Sequence, residues 1–336
     1  MTPTVLIDAD VLGRRRTGDE TYVANLLREL GRLADGLRLV AVTRHPELVP
    51  DGVEPLHLPA RSQELRMAVR LPLLLRRVRP ALAHFQHALP PGRPCPLVLT
   101  VHDLGFERDP SLMPLVDRIV FKTTVRRSAR RADRLLAVSE RTKADLVELY
   151  GIPERKITVT PNAVDPAFSP RDTLSRGLYV LFVGAVQERK DPLAALAAAE
   201  TAGLPLVVVG PEKEPKLAAE LRRRGADLRG YVPQEELVEL YAGAAALVLP
   251  SRYEGFGLPV LEAMACGTPV VATPDPALRE VAGDAAIFAE PAELGDAVRR
   301  AVAERDSLRE AGIERARAFS WEETARRTLA VYEELL

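Results

Sequence analysis

The sequence predicts an α/β protein made of two doubly wound, Rossmann-like domains in tandem, their sheets facing an interdomain cleft. Short runs rich in Val and Leu alternate with amphipathic helical segments almost throughout, the pattern of parallel sheets covered on both faces. The 336 residues suit two domains of about 150–170 residues each. The rhythm breaks once, at PNAVDPAFSPRD (161–172), where three prolines and a loss of periodicity mark a linker, and then restarts.

In the first half, buried-type strands are expected at TVLIDA (4–9), LRLVAVT (37–43), LAHFQ (82–86), PLVLTVH (96–102), RLLAVS (134–139) and KITVT (156–160). Helical periodicity lies between them, as in ETYVANLLREL (20–30) and ERTKADLVELY (140–150). The second half places strands at LYVLFVG (178–184), LPLVVVG (204–210), ADLRGY (226–231), AALVLP (245–250) and PVVAT (269–273). In sheets of this kind ligands bind beyond the carboxyl ends of the strands, so the residues just after each strand are the ones to inspect.

A content of 47% hydrophobic and 28% charged residues is a globular balance, neither disordered nor collagen-like. No stretch approaches the ~18 apolar residues of a membrane span. The N-terminal MTPTVLIDAD lacks a basic region and a small-residue cleavage site, and reads as a first buried strand rather than a leader. Two cysteines, Cys95 and Cys266, have no metal-type spacing and fit a reduced, cytoplasmic setting. The net charge of −1 hides an asymmetry: residues 1–165 carry 26 Lys+Arg against 20 Asp+Glu, and the remainder 20 against 27. The basic half should meet something anionic. Its candidates are LRMAVRLPLLLRRVR (65–79), with Arg66, Arg70, Arg76, Arg77 and Arg79, and DRIVFKTTVRRSARRADR (117–134). The second sets Arg118, Lys122, Arg126 and Arg130 along one side of a helix. Both suit either a solvated charged face or peripheral contact with anionic lipid at the inner membrane face. No nucleic-acid partner is expected.

SRYEGFGLPVLEAMACGTPVV (251–271) carries the most chemistry. A helix is expected from GLPVLEAMACG, with Pro259 in its first turn and Gly267 just past its end. Glycines allow close backbone approach to a ligand, and the free N–H groups of a helix start attract phosphate. Glu254 precedes that start and Glu262 lies about one turn inside. Carboxylates accept hydrogen bonds in pairs from vicinal sugar hydroxyls, so two of them around a phosphate-binding turn suit a nucleotide sugar. Alone, the stretch equally suits a structural turn with helix-stabilising acids. In LYVLFVGAVQERKDP, Arg189 and Lys190 follow the first strand of the second half and can neutralise a pyrophosphate. Asp191 and Pro192 then read as an N-cap and first helical residue.

Glu-Gly-Phe-Gly-Leu-Pro-x-x-Glu at 254–262, together with Arg-Lys at 189–190, resembles glycosyltransferase family 4, the retaining, GT-B-fold transferases that include mannosyltransferase-like enzymes of surface-glycan assembly. Nearly the whole chain shares the likeness: TGDETYVANLLREL (17–30), TVHDL (100–104), LLAVSERTKADL (135–146), VTPNAVDPAF (159–168), RGYVPQEELVELYAGAAALVLPS (229–251), VAGDAAIF (281–288) and FSWEETARRTLAVYEEL (319–335) also fit. The resemblance implies an acceptor-side domain over 1–165, a nucleotide-sugar donor domain over 166–318, and a helix over 319–336 that crosses back to the first domain. It implies that Arg189 and Lys190 hold the donor diphosphate, Glu262 binds ribose hydroxyls and Glu254 binds the transferred sugar. The turn Gly255, Phe256, Gly257 and Leu258 would meet that sugar and the phosphates through its amides. Tyr231 and Val232 would border the base, Gly18 would belong to the donor site, and His102 would reach the cleft from the first domain.

The sequence departs from the family in two places. Gly18-Asp19-Glu20 keeps one glycine of a frequent Gly-x-Gly and adds two acids, and Ala163 replaces the glycine of the linker's Asn-Gly. The implied reaction is transfer with retention, by a front-face route in which the leaving phosphate takes the acceptor's proton. The protein then positions substrates and stabilises charge. The acceptor would be a glycan, a lipid-linked intermediate or a small molecule. No cofactor is expected, and no metal. Asp8-Ala9-Asp10 looks like a metal motif, but it ends the first strand, far in sequence from the donor residues. A nucleotide-sugar 2-epimerase would want more acid–base groups than the five histidines here. A phosphorylase-like enzyme would need a pyridoxal lysine, which Lys190 alone does not indicate. A non-catalytic nucleotide-sugar binder is the remaining alternative.

Overall fold

The computed structural model describes residues 2–14, 17–109, 115–171 and 177–336, with the side chains at 17 and 115–118 excepted. The chain divides into two units, Met1–Asn162 with Trp321–Leu336, and Ala163–Ser320. Against the expected edges at 165 and 318, the division falls three residues earlier and two residues later.

The first unit holds a parallel sheet in the order β3-β2-β1-β4-β5-β6-β7. The strands are β1 (Thr4–Asp8), β2 (Arg38–Thr43), β3 (Glu54–His57), β4 (Leu82–Gln86), β5 (Leu97–Val101), β6 (Arg134–Ala137) and β7 (Ile157–Val159). β4 and β5 are buried along their whole length. Helices cover both faces, so both strands are apolar except where a polar side chain such as His84 or Thr100 finds a buried partner. The second unit repeats the plan in the order β10-β9-β8-β11-β12-β13. Its strands are β8 (Val180–Val183), β9 (Leu206–Val209), β10 (Asp227–Gly230), β11 (Ala246–Leu249), β12 (Val270–Ala272) and β13 (Ile287–Phe288). Each sheet reverses its strand order once, between β1 and β4 and between β8 and β11, and such a reversal opens a crevice at the carboxyl edge.

Two strands were not expected. β3 is an edge strand with a proline and mostly exposed side chains, so it carries no apolar run. β13 is only two residues long, and its pairing with β12 defines it.

A buried polar chain ties the helix Trp321–Glu333 into the first unit. Tyr332 Oη lies 2.6 Å from His84 Nδ1 on β4, His84 Nε2 lies 2.7 Å from Thr100 Oγ1 on β5, and Tyr22 Oη lies 3.1 Å from the same oxygen. Tyr22 belongs to the first helix, Thr17–Leu33, and its ring meets Trp321 edge-on at 6.0 Å. Burial holds His84 down at about 3, so this network is neutral.

The basic segments of the first unit turn inward more than their sequence indicates. Arg66 is fully buried and donates to Asp8 at 2.5 and 3.2 Å, with its Nε 3.3 Å from Asp10. Arg44 forks onto Asp10 at 2.8 and 2.9 Å, and Arg14 pairs with it as well. The two carboxylates of Asp-Ala-Asp are thus held by arginines. In the helix Leu115–Arg131, Lys122 pairs with Glu107 at 2.5 Å, Arg126 lies 5.9 Å from the Tyr150 ring centre, and Arg130 donates to the Tyr150 carbonyl at 3.3 Å. Three members of the expected cationic stripe therefore bind within their own unit. The Arg118 side chain lies outside the described residues.

Removing Arg66 leaves two acids buried with weaker compensation. Arg66→Ala should lower the unfolding free energy by about 3–5 kcal/mol, against within ~0.5 kcal/mol for the exposed Arg76→Ala. Urea unfolding of both variants checks this, and equal shifts would contradict a paired, buried Arg66.

Candidate functional site

The carboxyl ends of β8 and β11 are neighbours because those two strands pair in parallel. The segments that follow them therefore meet. After β8 the chain makes a short 3-10 turn, Glu188–Lys190, then enters the helix Pro192–Ala202, which Asp191 caps by accepting from the Ala194 amide at 3.3 Å. After β11 runs Ser251–Gly257, then the helix Leu258–Ala265. The two segments are laced together: the Arg252 amide donates to the Arg189 carbonyl at 2.9 Å, and Arg189 Nη1 donates to the Tyr253 carbonyl at 2.6 Å.

Charge is concentrated at this seam. Lys190 Nζ lies 2.5 Å from Glu254 Oε1, and Arg189 Nη1 lies 3.9 Å from Oε2. Glu254 is only 6% exposed. Burial acts to raise its carboxyl, but the charges of Lys190 and Arg189 more than offset that, so it sits below the usual carboxylate range. Its amide donates to Asp275 Oδ2 at 3.4 Å, and Asp275 caps the helix Pro276–Ala282 through the Ala277 amide at 2.9 Å. The carboxyl ends of β8, β11 and β12 thus share one polar network.

The turn between β11 and its helix needs its glycine. Gly257 has φ +108°, and a Cβ there would meet Leu278 Cδ2 at 2.6 Å. Gly255, Phe256 and Gly257 are buried, with Phe256 edge-on to Phe319 at 5.9 Å, and Leu258 is partly exposed.

Glu262 lies on the same short helix, partly exposed, and accepts from the Tyr241 hydroxyl at 2.7 Å. Burial pushes its carboxyl up to about 7, the Tyr241 hydrogen bond works against that, and the Asp165 charge adds to it. Tyr241 is fully buried on the helix Gln234–Gly243, where the Phe168 ring meets it at 5.9 Å. Beyond β10, Tyr231 is 60% exposed and Val232 is buried.

The remaining expected site residues belong to the first unit. Gly18 lies in the first turn of the helix Thr17–Leu33, with open space where a Cβ would project. His102 follows β5, is buried, and has Nε2 2.9 Å from Gln86 Oε1. Desolvation lowers it to about 4, so it is neutral near pH 7. Tyr241, Asp165, Asp275 and Gln86 were not singled out in the sequence. Tyr241 fits a core position of an apolar helix, and nothing in its spacing signals a carboxylate partner.

Two family models cover most of the chain: Glycosyltransferase Family 4 over residues 16–168, and Glycosyl transferases group 1 over 169–319. The O-antigen chain mannosyltransferase B of Escherichia coli is 32% identical over 267 residues, which is 70% of this chain and 70% of that one. The D-inositol 3-phosphate glycosyltransferase of Geodermatophilus obscurus is 36% identical over 60% of this chain, and the match spans 52% of that longer protein. Among solved structures, the Anabaena protein HepE in complex with UDP-glucose superposes with a TM-score of 0.76 at 14% identity, covering 99% of this chain and 100% of that one. At that identity the likeness speaks for the fold.

Because the folded protein favours protonated Glu262, this group's contribution to stability is full below pH ~4.5 and falls as pH rises through about 7. Glu262→Gln should therefore raise the unfolding free energy at pH 8, by at most about 3 kcal/mol given the partial exposure, and change it little near pH 4.5. Urea titrations at both pH values test the sign, and a shift independent of pH would contradict it.

Proposed function

Since this chain belongs to glycosyltransferase family 4, with the GT-B fold, we propose that it moves a hexose from a nucleotide-sugar donor to an acceptor hydroxyl with retention at the anomeric carbon. The observation that carries this reading is the pair of cations, Arg189 and Lys190, held beside a buried carboxylate where the strand order of the donor-type sheet reverses. A diphosphate is the ligand chemistry such a place suits.

The donor diphosphate takes Arg189 and Lys190 as its counter-ions, and Glu254, released from part of that pairing, accepts from hydroxyls of the transferred sugar. Glu262 accepts from the ribose and Tyr241 orients it. The Gly255–Leu258 turn lends amides to the sugar and phosphates, while Tyr231 and Val232 border the base. His102, neutral and with its Nε2–H given to Gln86, accepts from a sugar hydroxyl through Nδ1. As the glycosidic bond breaks, charge grows on the leaving phosphate, and the two cations stabilise it more than they stabilise the bound donor. The departing phosphate oxygen takes the acceptor's proton, so no enzyme nucleophile is used, and with two side-chain cations present the transfer asks for no metal. The acceptor is a glycan or glycan precursor, a reading supported by the O-antigen relative. A 2-epimerase or a pure binder would not hand its sugar to an acceptor.

Arg189→Ala and Lys190→Ala should each lower kcat by about 10²–10³ with a smaller change in donor affinity. Glu262→Ala should chiefly weaken donor binding, because ribose contacts change little during the reaction. Steady-state kinetics with UDP- and GDP-hexoses separate these effects, and NMR of the product reports the anomeric configuration. Near-normal turnover in both cation variants would remove the diphosphate role, and an inverted product would remove the retaining route.

A further inference from the structure

We propose that Asp19, His87 and His102 form a binding site for a divalent transition-metal ion of the zinc class. The strand order of the first unit brings them together. Asp19 lies in the first turn of the helix that follows β1, His87 follows the end of β4, and His102 follows the end of β5. β1, β4 and β5 are consecutive in the sheet, and the order reverses between β1 and β4. All three side chains therefore gather at the carboxyl edge, where this fold class binds ligands.

One ligand atom from each residue can be chosen so that all three lie within 4.8 Å of one another. His87 Nε2 is 3.3 Å from Asp19 Oδ2, and the two imidazole rings are 4.8 Å apart between centres. Tetrahedral zinc with bonds near 2.1 Å sets its donors about 3.4 Å apart, so the Asp19–His87 edge already has the right length. The other edges require a small closure. His87 and Asp19, about a quarter exposed, can make it, while His102 is buried and stays in place. Two imidazoles and one carboxylate are the donor set that zinc and its neighbours prefer, with a position left for an outside ligand.

Two further observations point to a ligand. His87 holds a left-handed backbone, φ +59°, while its amide still donates to the Thr100 carbonyl at 2.9 Å. Gln86 steadies the His102 ring with Oε1, and its Nε2 is buried with no hydrogen-bond partner among the described residues. With its Nε2–H given to Gln86, His102 offers Nδ1 to the metal, the atom that would also take a sugar hydroxyl, so metal and sugar compete for it. The carboxylate comes from Gly-Asp-Glu at 18–20. Asp8 and Asp10, on the same edge, are held by arginines instead.

The test uses the full chain after EDTA treatment, titrated with Zn²⁺ against a chromophoric chelator and with Co²⁺ by visible absorption. One saturable equivalent of Zn²⁺ with a Kd below about 100 µM is expected. Asp19→Ala and His87→Ala should each weaken it by ~10-fold or more while melting as the parent does. His45→Ala, which removes the exposed His45–Glu47 pair, should leave it unchanged. The absence of saturable binding, binding retained by both site variants, or binding lost with His45→Ala would overturn the proposal. Because the readout is metal binding, its failure is separate from any failure of the transferase reading.

Discussion

Glu254 and its two cations are the contact on which the second unit's carboxyl edge is organised. A carboxylate that is almost fully buried cannot stay ionised without partners, and here burial is more than offset by Lys190 and Arg189. The pairing fixes more than charge. Arg189 also takes the Tyr253 carbonyl and gives its own carbonyl to Arg252, so the cation turn after β8 and the glycine turn after β11 are positioned by each other. Through the Glu254 amide and Asp275 the same network reaches the end of β12. An arrangement of this kind presents cations already ordered, so the diphosphate proposed as ligand would not have to collect them from solvent.

The two units solve the same problem with different chemistry. Both sheets reverse strand order beside their first strand, and both place charged groups at that point. In the first unit the acids Asp8 and Asp10 are closed off by Arg66, Arg44 and Arg14, an arrangement that fixes the end of β1. In the second, Lys190 and Arg189 both pair with Glu254, while Asp275 of the same network caps a helix. Among the described residues Glu262, by contrast, pairs with no cation, and its hydrogen-bond partner is a neutral hydroxyl. That difference is why two glutamates eight positions apart in one segment are shifted in opposite directions.

Most of the sheet architecture was legible because central parallel strands must be apolar on both faces, and runs such as LPLVVVG and AALVLP show it directly. The Pro259 start and the Asp191 cap were legible for a similar reason, since backbone rules act within a few residues. Pairings over long separations were not. Tyr241 to Glu262, and His84 to Tyr332 across 248 positions, depend on which strands become neighbours, and that is not written locally. Arg66 misled for the opposite reason: an arginine among leucines resembles a surface residue until the Asp8 carboxylate is placed beneath it. The strand at 54–57 escaped notice because an edge position does not require apolar side chains, and the one at 287–288 because two residues make no pattern.

The central claim is that Lys190 and Glu254 are energetically one unit, built before any ligand arrives. A double-mutant cycle on ligand-free protein, with Lys190→Met, Glu254→Gln and the pair together, followed by urea unfolding at pH 7, measures this directly. The account predicts that each single change destabilises and that the double variant loses about 2 kcal/mol less than their sum, because the second change removes the charge the first left unpaired. Additive losses, within ~0.5 kcal/mol, would contradict it.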